Sequence, residues 1–70
     1  MAQYWVTKSV GTTADHEVHK DGCAWMPSVQ NRDYLGDFAT CQPAVAEAKR
    51  RGFAKANGCI HCSAACHVGS

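Results

Sequence analysis

The chain has 70 residues, with seven Lys or Arg, six Asp or Glu and four His, for a net charge of +1. That is one domain at most, with no overall field to draw it toward nucleic acid or a membrane. No apolar run approaches the roughly 20 residues needed to span a bilayer. The opening MAQYWVTKSVGTT lacks a basic stretch followed by an apolar one, so no secretory signal is read and a cytoplasmic location is expected. The 46% counted as hydrophobic is mostly Ala, Val and Cys, with only two Phe, two Trp and two Tyr. A domain of this size buries only about 60% of its unfolded surface and commonly needs a disulfide or a structural metal. In a reducing cytosol, clustered cysteines are expected to be metal ligands, and an odd total of five fits poorly with a closed disulfide framework.

Taken in chain order, Gln3 to Val10 (QYWVTKSV) alternates loosely and is rich in aromatic and β-branched side chains, which predicts a first strand. Gly11 to Asp15 reads as a turn or loop. His16 to His19 is a second short strand, ended by a Lys20-Asp21-Gly22 turn whose glycine tolerates positive φ. CAWMP, Cys23 to Pro27, is apolar but stopped by proline, and Ser28 to Asp33 is a polar loop. Asp33 to Phe38 offers a third strand, with Tyr34 and Phe38 assigned to one face by the period of two.

The run CQPAVAEAKRR predicts a helix. Thr40 is its N-cap, and Pro43 falls within the first turn, where its missing N–H costs nothing. Cys41, Val45 and Ala48, with Ala44 beside them, share an apolar face, while Glu47, Lys49, Arg50 and Arg51 lie mostly off it. Gly52 and Phe53 form the C-terminal stop, the glycine following the cap and the phenylalanine folding back onto the last turn. Beyond the helix, Asn57-Gly58 reads as a tight turn just before Cys59. No repeat, linker or low-complexity tract interrupts this order.

The segment GCIHCSAACH, from Gly58 to His67, concentrates the chemistry. Cys59-x2-Cys62 has the spacing of a zinc knuckle, in which two thiolates on a tight turn reach one ion at about 2.3 Å. Such a half-site needs a second pair, and His19-x3-Cys23 supplies one across a glycine turn. His19, Cys23, Cys59 and Cys62 together make a Cys3His set, and an ion there is worth on the order of 10 kcal/mol to a core this thin. With all four positions filled by protein ligands the site reads as structural, and no carboxylate pair, nucleophile–base pair or phosphate loop argues for an enzyme. The expected fold is therefore α+β: a short antiparallel sheet of two to three strands, one helix, and a C-terminal CxxC knuckle, stapled by Zn2+.

The ordered runs HKDGC, NRDYLGDF, AVAEAKRRGF and CIHC resemble the zinc-binding domain at the N-terminus of Ada-type DNA-repair regulators. They are also similar to small metal-binding modules appended to some bacterial nucleases. Those domains share a ligand pair spaced by three residues, a strand, a helix ending in Gly-aromatic and a closing CxxC. The likeness covers residues 16 to 62, and it implies His19, Cys23, Cys59 and Cys62 as the zinc ligands. In the Ada domain the first ligand is a cysteine that accepts a methyl group from DNA. That place is taken here by His19, whose imidazole lacks the thiolate, and AKANG replaces the Arg-Pro often found before the CxxC. The resemblance thus implies the zinc fold more than the repair chemistry.

The remaining candidates have plainer readings. Cys66 and His67 can replace His19 as ligand, join a second weak site, or sit in a frayed tail, and the tail is favoured. His16 is read as a solvated strand residue, with ligand exchange for His19 as its alternative. Cys41 is read as a small buried hydrophobe rather than a nucleophile, and His61 as an exposed side chain near a thiolate. CIHC comes too late in the chain for a thioredoxin-type redox fold, and Cys62-x3-Cys66-His67 has one residue too many for haem attachment. Lys49, Arg50, Arg51 and Lys55, with Arg32, could meet phosphates or be a solvated face. Tyr4, Trp5 and Trp25 are expected in the core rather than stacked on bases, with an apolar patch at Trp25 and Met26 as a possible protein contact. A monomer is expected. A thiol-reactive role for Cys66 or Cys41, as alkyl acceptor or redox sensor, is the alternative function.

Overall fold

The computed structural model describes residues 1 to 8 and 15 to 68. Four strands and one α-helix follow in the order β1 (Ala2–Thr7), β2 (His16–Lys20), β3 (Arg32–Phe38), α1 (Cys41–Arg50) and β4 (Ala56–Gly58). Single 3-10 turns occupy Val29–Asn31 and Ala64–Cys66. The first strand stops at Thr7, short of Val10, and the expected Gly11 to Asp15 loop lies mostly outside the described residues.

The sheet order is β3-β1-β2-β4. β1 runs antiparallel to both β2 and β3, whereas β4 lies parallel to β2, with Val18 opposite Gly58. The fold is α+β as expected, but the sheet has four strands and is mixed rather than antiparallel with two or three. The extra strand comes from Asn57 and Gly58. Their sequence has the signature of a tight turn, yet β2 captures them as a ladder, continued by the Cys59 N–H donating to the Val18 carbonyl at 3.0 Å. Because β3 and β4 both run parallel to β2, the chain between them must cross the sheet, and α1 is that crossover.

The helix covers one face. Tyr4, Val6, Val18, Leu35 and Ala56 from the sheet meet Cys41, Ala44 and Ala48 from the helix, with Val45, Phe53 and Phe38 packed around them. Alanines on the helix let it approach the sheet closely, at the cost of little buried area per residue. Thr40 stands at the N-cap position in extended conformation, but its side chain makes no capping bond. At the other end, Phe53 N–H donates to the Ala48 carbonyl and Gly52 N–H to the Lys49 carbonyl, both at 3.1 Å. That pair of bonds is the Schellman closure anticipated from Gly52-Phe53.

The period of two misassigns one strand face. Tyr4 pairs with Gly36 and Trp5 with Tyr34, leaving Leu35 as an extra residue in β3. This bulge shifts the alternation, so Phe38 packs against the core beside Tyr4 while Tyr34 lies against Trp5, with 4.9 Å between ring centroids. Arg32 covers the Trp5 ring, its guanidinium carbon 4.5 Å from the centroid, so it stands apart from the helix-end cations. Of the three residues expected in the core, Tyr4 is buried, Trp5 is half-buried on the far face, and Trp25 is 63% exposed.

Cys41 and Cys66 form a disulfide. Cys41 is indeed buried in the core, but as a half-cystine rather than a free thiol, and Cys66 is not in a frayed tail. With its ends 25 positions apart in sequence, such a cross-link contributes about 3 kcal/mol. The segment after it is also held down. The Asn57 side chain accepts from Val68 N–H at 2.9 Å and donates to the Val68 carbonyl at 2.7 Å, and His67 Nδ1 donates to the Gly58 carbonyl at 2.9 Å. Among the described residues, no helix is long and apolar enough to cross a membrane.

Candidate metal centre

Parallel pairing of β2 and β4 places the exits of the two strands side by side. Val18 and Gly58 are in register, so the residues that follow them, His19 and Cys59, emerge at the same level of the sheet. Each strand then turns back at once. Cys23 N–H donates to the Lys20 carbonyl at 3.1 Å, with Gly22 at φ 90°, a conformation that suits glycine alone. After β4, Ser63 N–H closes the second turn onto the Cys59 carbonyl at 2.8 Å. The turns deliver Cys23 and Cys62 back over the first ligand pair.

The ligand atoms of His19, Cys23, Cys59 and Cys62 all lie within 4.8 Å of one another, and the group can hold a metal ion. The Cys23 and Cys59 sulfurs are 3.9 Å apart, and His19 Nδ1 lies 3.6 Å from the Cys23 sulfur and 3.9 Å from that of Cys62. A tetrahedral ion bonded to sulfur at about 2.3 Å and nitrogen at about 2.05 Å requires edges of about 3.8 Å and about 3.5 Å. The observed edges therefore enclose a space of the right size.

The surrounding bonds orient the ligands. His19 is 1% exposed. With Nδ1 turned to the sulfurs, its Nε2–H donates to Thr7 Oγ1 at 3.2 Å, and the Glu17 carboxylate stands 3.7 Å away. Such a partner sets both the tautomer and the ring orientation. Burial lowers the His19 pKa despite the opposing pull of Glu17, which favours the neutral form of the ring, the form that ligates. The Lys20 N–H donates to the Cys62 sulfur at 3.3 Å. Burial raises the thiol pKa of Cys59, and burial followed by the contact with Cys23 raises that of Cys62. Loading an ion must expel these protons, so affinity falls as the pH is lowered.

The other histidines do not enter this group. His16 is half-buried rather than solvated; its Nδ1 donates to the Thr7 carbonyl at 2.8 Å and its ring meets Phe53 edge-on at 5.0 Å. His67 is engaged with Gly58, and Cys66 with Cys41, so neither substitutes for His19. His61 is exposed at the tip of the CxxC turn and stacks on Trp25, with centroids 4.5 Å apart at 20°. Sequence reasoning overlooked this stack, for which no spacing signal exists, and the disulfide. The cysteine count did carry a hint of the latter, since three ligands from a total of five leave two that can pair.

Two of the four helix-end cations, Arg50 and Arg51, are committed to Glu47. Glu47 accepts from Arg50 Nε at 2.9 Å and from Arg51 Nε at 2.7 Å, and these bonds hold its carboxyl down at about 2. Arg51 also donates to the Tyr34 carbonyl at 2.7 Å, tying the helix end to β3. No family model, curated protein or solved structure matches this chain.

Proposed function

We propose that the chain is a small non-catalytic zinc-binding module of the Ada-like kind, acting as a binding accessory. The observation that carries this reading is the donor set: three sulfurs and one imidazole nitrogen within 4.8 Å of one another. Thiolate-rich sets select zinc over harder ions, and four protein ligands complete a tetrahedron with no position left for water or substrate. Bound there, the ion supplies cohesion between the two strand exits.

A protein partner fits the surface better than a nucleic acid. Of Lys49, Arg50, Arg51 and Lys55, the two arginines are already paired with Glu47, which leaves two lysines to meet phosphates. At the knuckle, by contrast, Trp25 and Ile60 are 63% and 54% exposed and Met26 is half-buried beside Trp25 in the chain. Such an apolar group, set on a rigid turn, is suited to contact another protein. The alkyl-acceptor alternative is disfavoured for Cys41 and Cys66, which occupy each other as a disulfide.

Cobalt substitution tests the closed site. The Co2+ form is expected to show the intense visible bands of a tetrahedral thiolate complex, unchanged by added azide. Weak bands of higher coordination, or a spectrum that shifts with azide, would overturn the structural assignment.

A further inference from the structure

Beyond the metal ligands themselves, the loop that carries two of them is closed by a bond that can be made and broken. From Cys59 the chain folds back through Ser63 N–H to the Cys59 carbonyl at 2.8 Å and Cys66 N–H to the Ser63 carbonyl at 2.9 Å. It returns so closely that a Cβ on Gly58 would lie 2.7 Å from the Cys66 Cβ and 2.8 Å from its carbonyl carbon. Cys66 is therefore seated on the residue immediately before Cys59. Its sulfur is joined to Cys41 in the first turn of α1, so the disulfide ties the exit of the metal loop to the helix.

The same bond is open to exchange from one side. Cys41 is buried, whereas Cys66 is half-buried and lines an open groove with Gln42, Lys49 and Lys55. Lys49 and Lys55, set against the one carboxylate of Asp15, leave the groove net positive, which favours the approach of a thiolate.

We propose that the Cys41–Cys66 disulfide is a redox latch on the metal centre: closed, it holds the Cys59–Cys62 turn ready to bind; opened by a dithiol, it weakens metal binding. This rests on the metal-centre reading given above. In the opening step a thiolate of the dithiol attacks the Cys66 sulfur, the S–S bond breaks and Cys41 leaves as thiolate and takes up a proton. The second thiol of the reductant then attacks the mixed disulfide and Cys66 leaves in the same way. The dithiol loses two electrons and two protons to become a disulfide, and Cys41 and Cys66 gain them as two thiols. Coupling between the two sites is reciprocal, so a bound ion makes the latch harder to open by the same factor.

The test is a zinc-affinity measurement by competition with a chromophoric chelator, on oxidised protein and on protein reduced with a trialkylphosphine. The oxidised form is expected to bind at least about tenfold more tightly, the scale of effects from groups that orient metal ligands. The same factor should appear in the dithiol redox equilibrium with and without zinc, where tenfold corresponds to about 30 mV. A Cys41→Ser/Cys66→Ser variant should match the reduced protein whatever the redox conditions; if it does not fold, reduced wild type gives the comparison alone. Equal affinity in both redox states, or tighter binding after reduction, overturns the latch and leaves the metal centre standing. Failure of both forms to bind zinc overturns the metal centre itself and the latch with it.

Discussion

Cys59→Ser is expected to unfold the domain. Cys59 is 1% exposed, at the junction of β4 and the knuckle, and its sulfur is one corner of the ligand group. A serine hydroxyl replaces a thiolate donor poorly, so the ion loses a ligand and most of its affinity. A structural ion of this type contributes on the order of 10 kcal/mol, while a small domain has about 5–15 kcal/mol in total. The apolar core, built from Tyr4, two valines, a leucine and three alanines, cannot make up such a loss. The disulfide, at about 3 kcal/mol, cannot either. Loss of amide dispersion in the NMR spectrum, together with loss of bound metal, is the expected result. A variant that stays folded and keeps its ion would show that Cys59 is not a ligand.

Gly58→Ala is expected to be the most damaging change outside the ligands. An added Cβ meets the Ser63 carbonyl oxygen at 2.6 Å, the Cys66 Cβ at 2.7 Å and the Cys66 carbonyl carbon at 2.8 Å. Two of these are backbone atoms, and the third belongs to a half-cystine anchored to the helix, so none can swing away. Relief requires moving the loop away from β4, which also pulls on Cys59. Overpacking of this severity costs about 3 kcal/mol, a fall in melting temperature of at least about 12 °C for a domain of this size. Gly22 offers the contrast. A Cβ there meets nothing within 4 Å, and the penalty comes only from its φ of 90°, about 1–2 kcal/mol. Calorimetry of the metal-loaded proteins ranks the two; a Gly58→Ala melting curve superimposable on wild type would contradict the close packing of Cys66 over β4.

These two positions also mark where the sequence was readable and where it was not. The helix was legible almost to the residue, because its signals are local: Pro43 in the first turn, an apolar face at spacings of three and four, and Gly52-Phe53 as a stop. The four members of the ligand group were legible from two short spacings, since a metal site needs paired donors on tight turns. β4 was not. Three residues, Ala56 to Gly58, form a strand only because β2 offers an edge, and nothing within Asn57-Gly58 distinguishes that from a turn. The bulge at Leu35 likewise depends on pairing with β1, so counting by twos along β3 put Tyr34 and Phe38 on one face.

The disulfide was missed for a different reason. Assuming a reducing compartment made every cysteine a thiol, and Cys41 and Cys66 carry no spacing that links them. Only the fold does so, because α1 crosses the sheet with its first turn over the segment that returns from the knuckle. The protein thus closes itself twice, with a ligand group that can hold an ion at the strand exits and a covalent bond behind them.

X-ray absorption at the zinc edge of the purified protein tests the central claim most directly. The expected shell is three sulfurs at about 2.3 Å and one nitrogen at about 2.05 Å, at one ion per chain. A metal-free yet well-folded protein, or a shell dominated by oxygen, would contradict it.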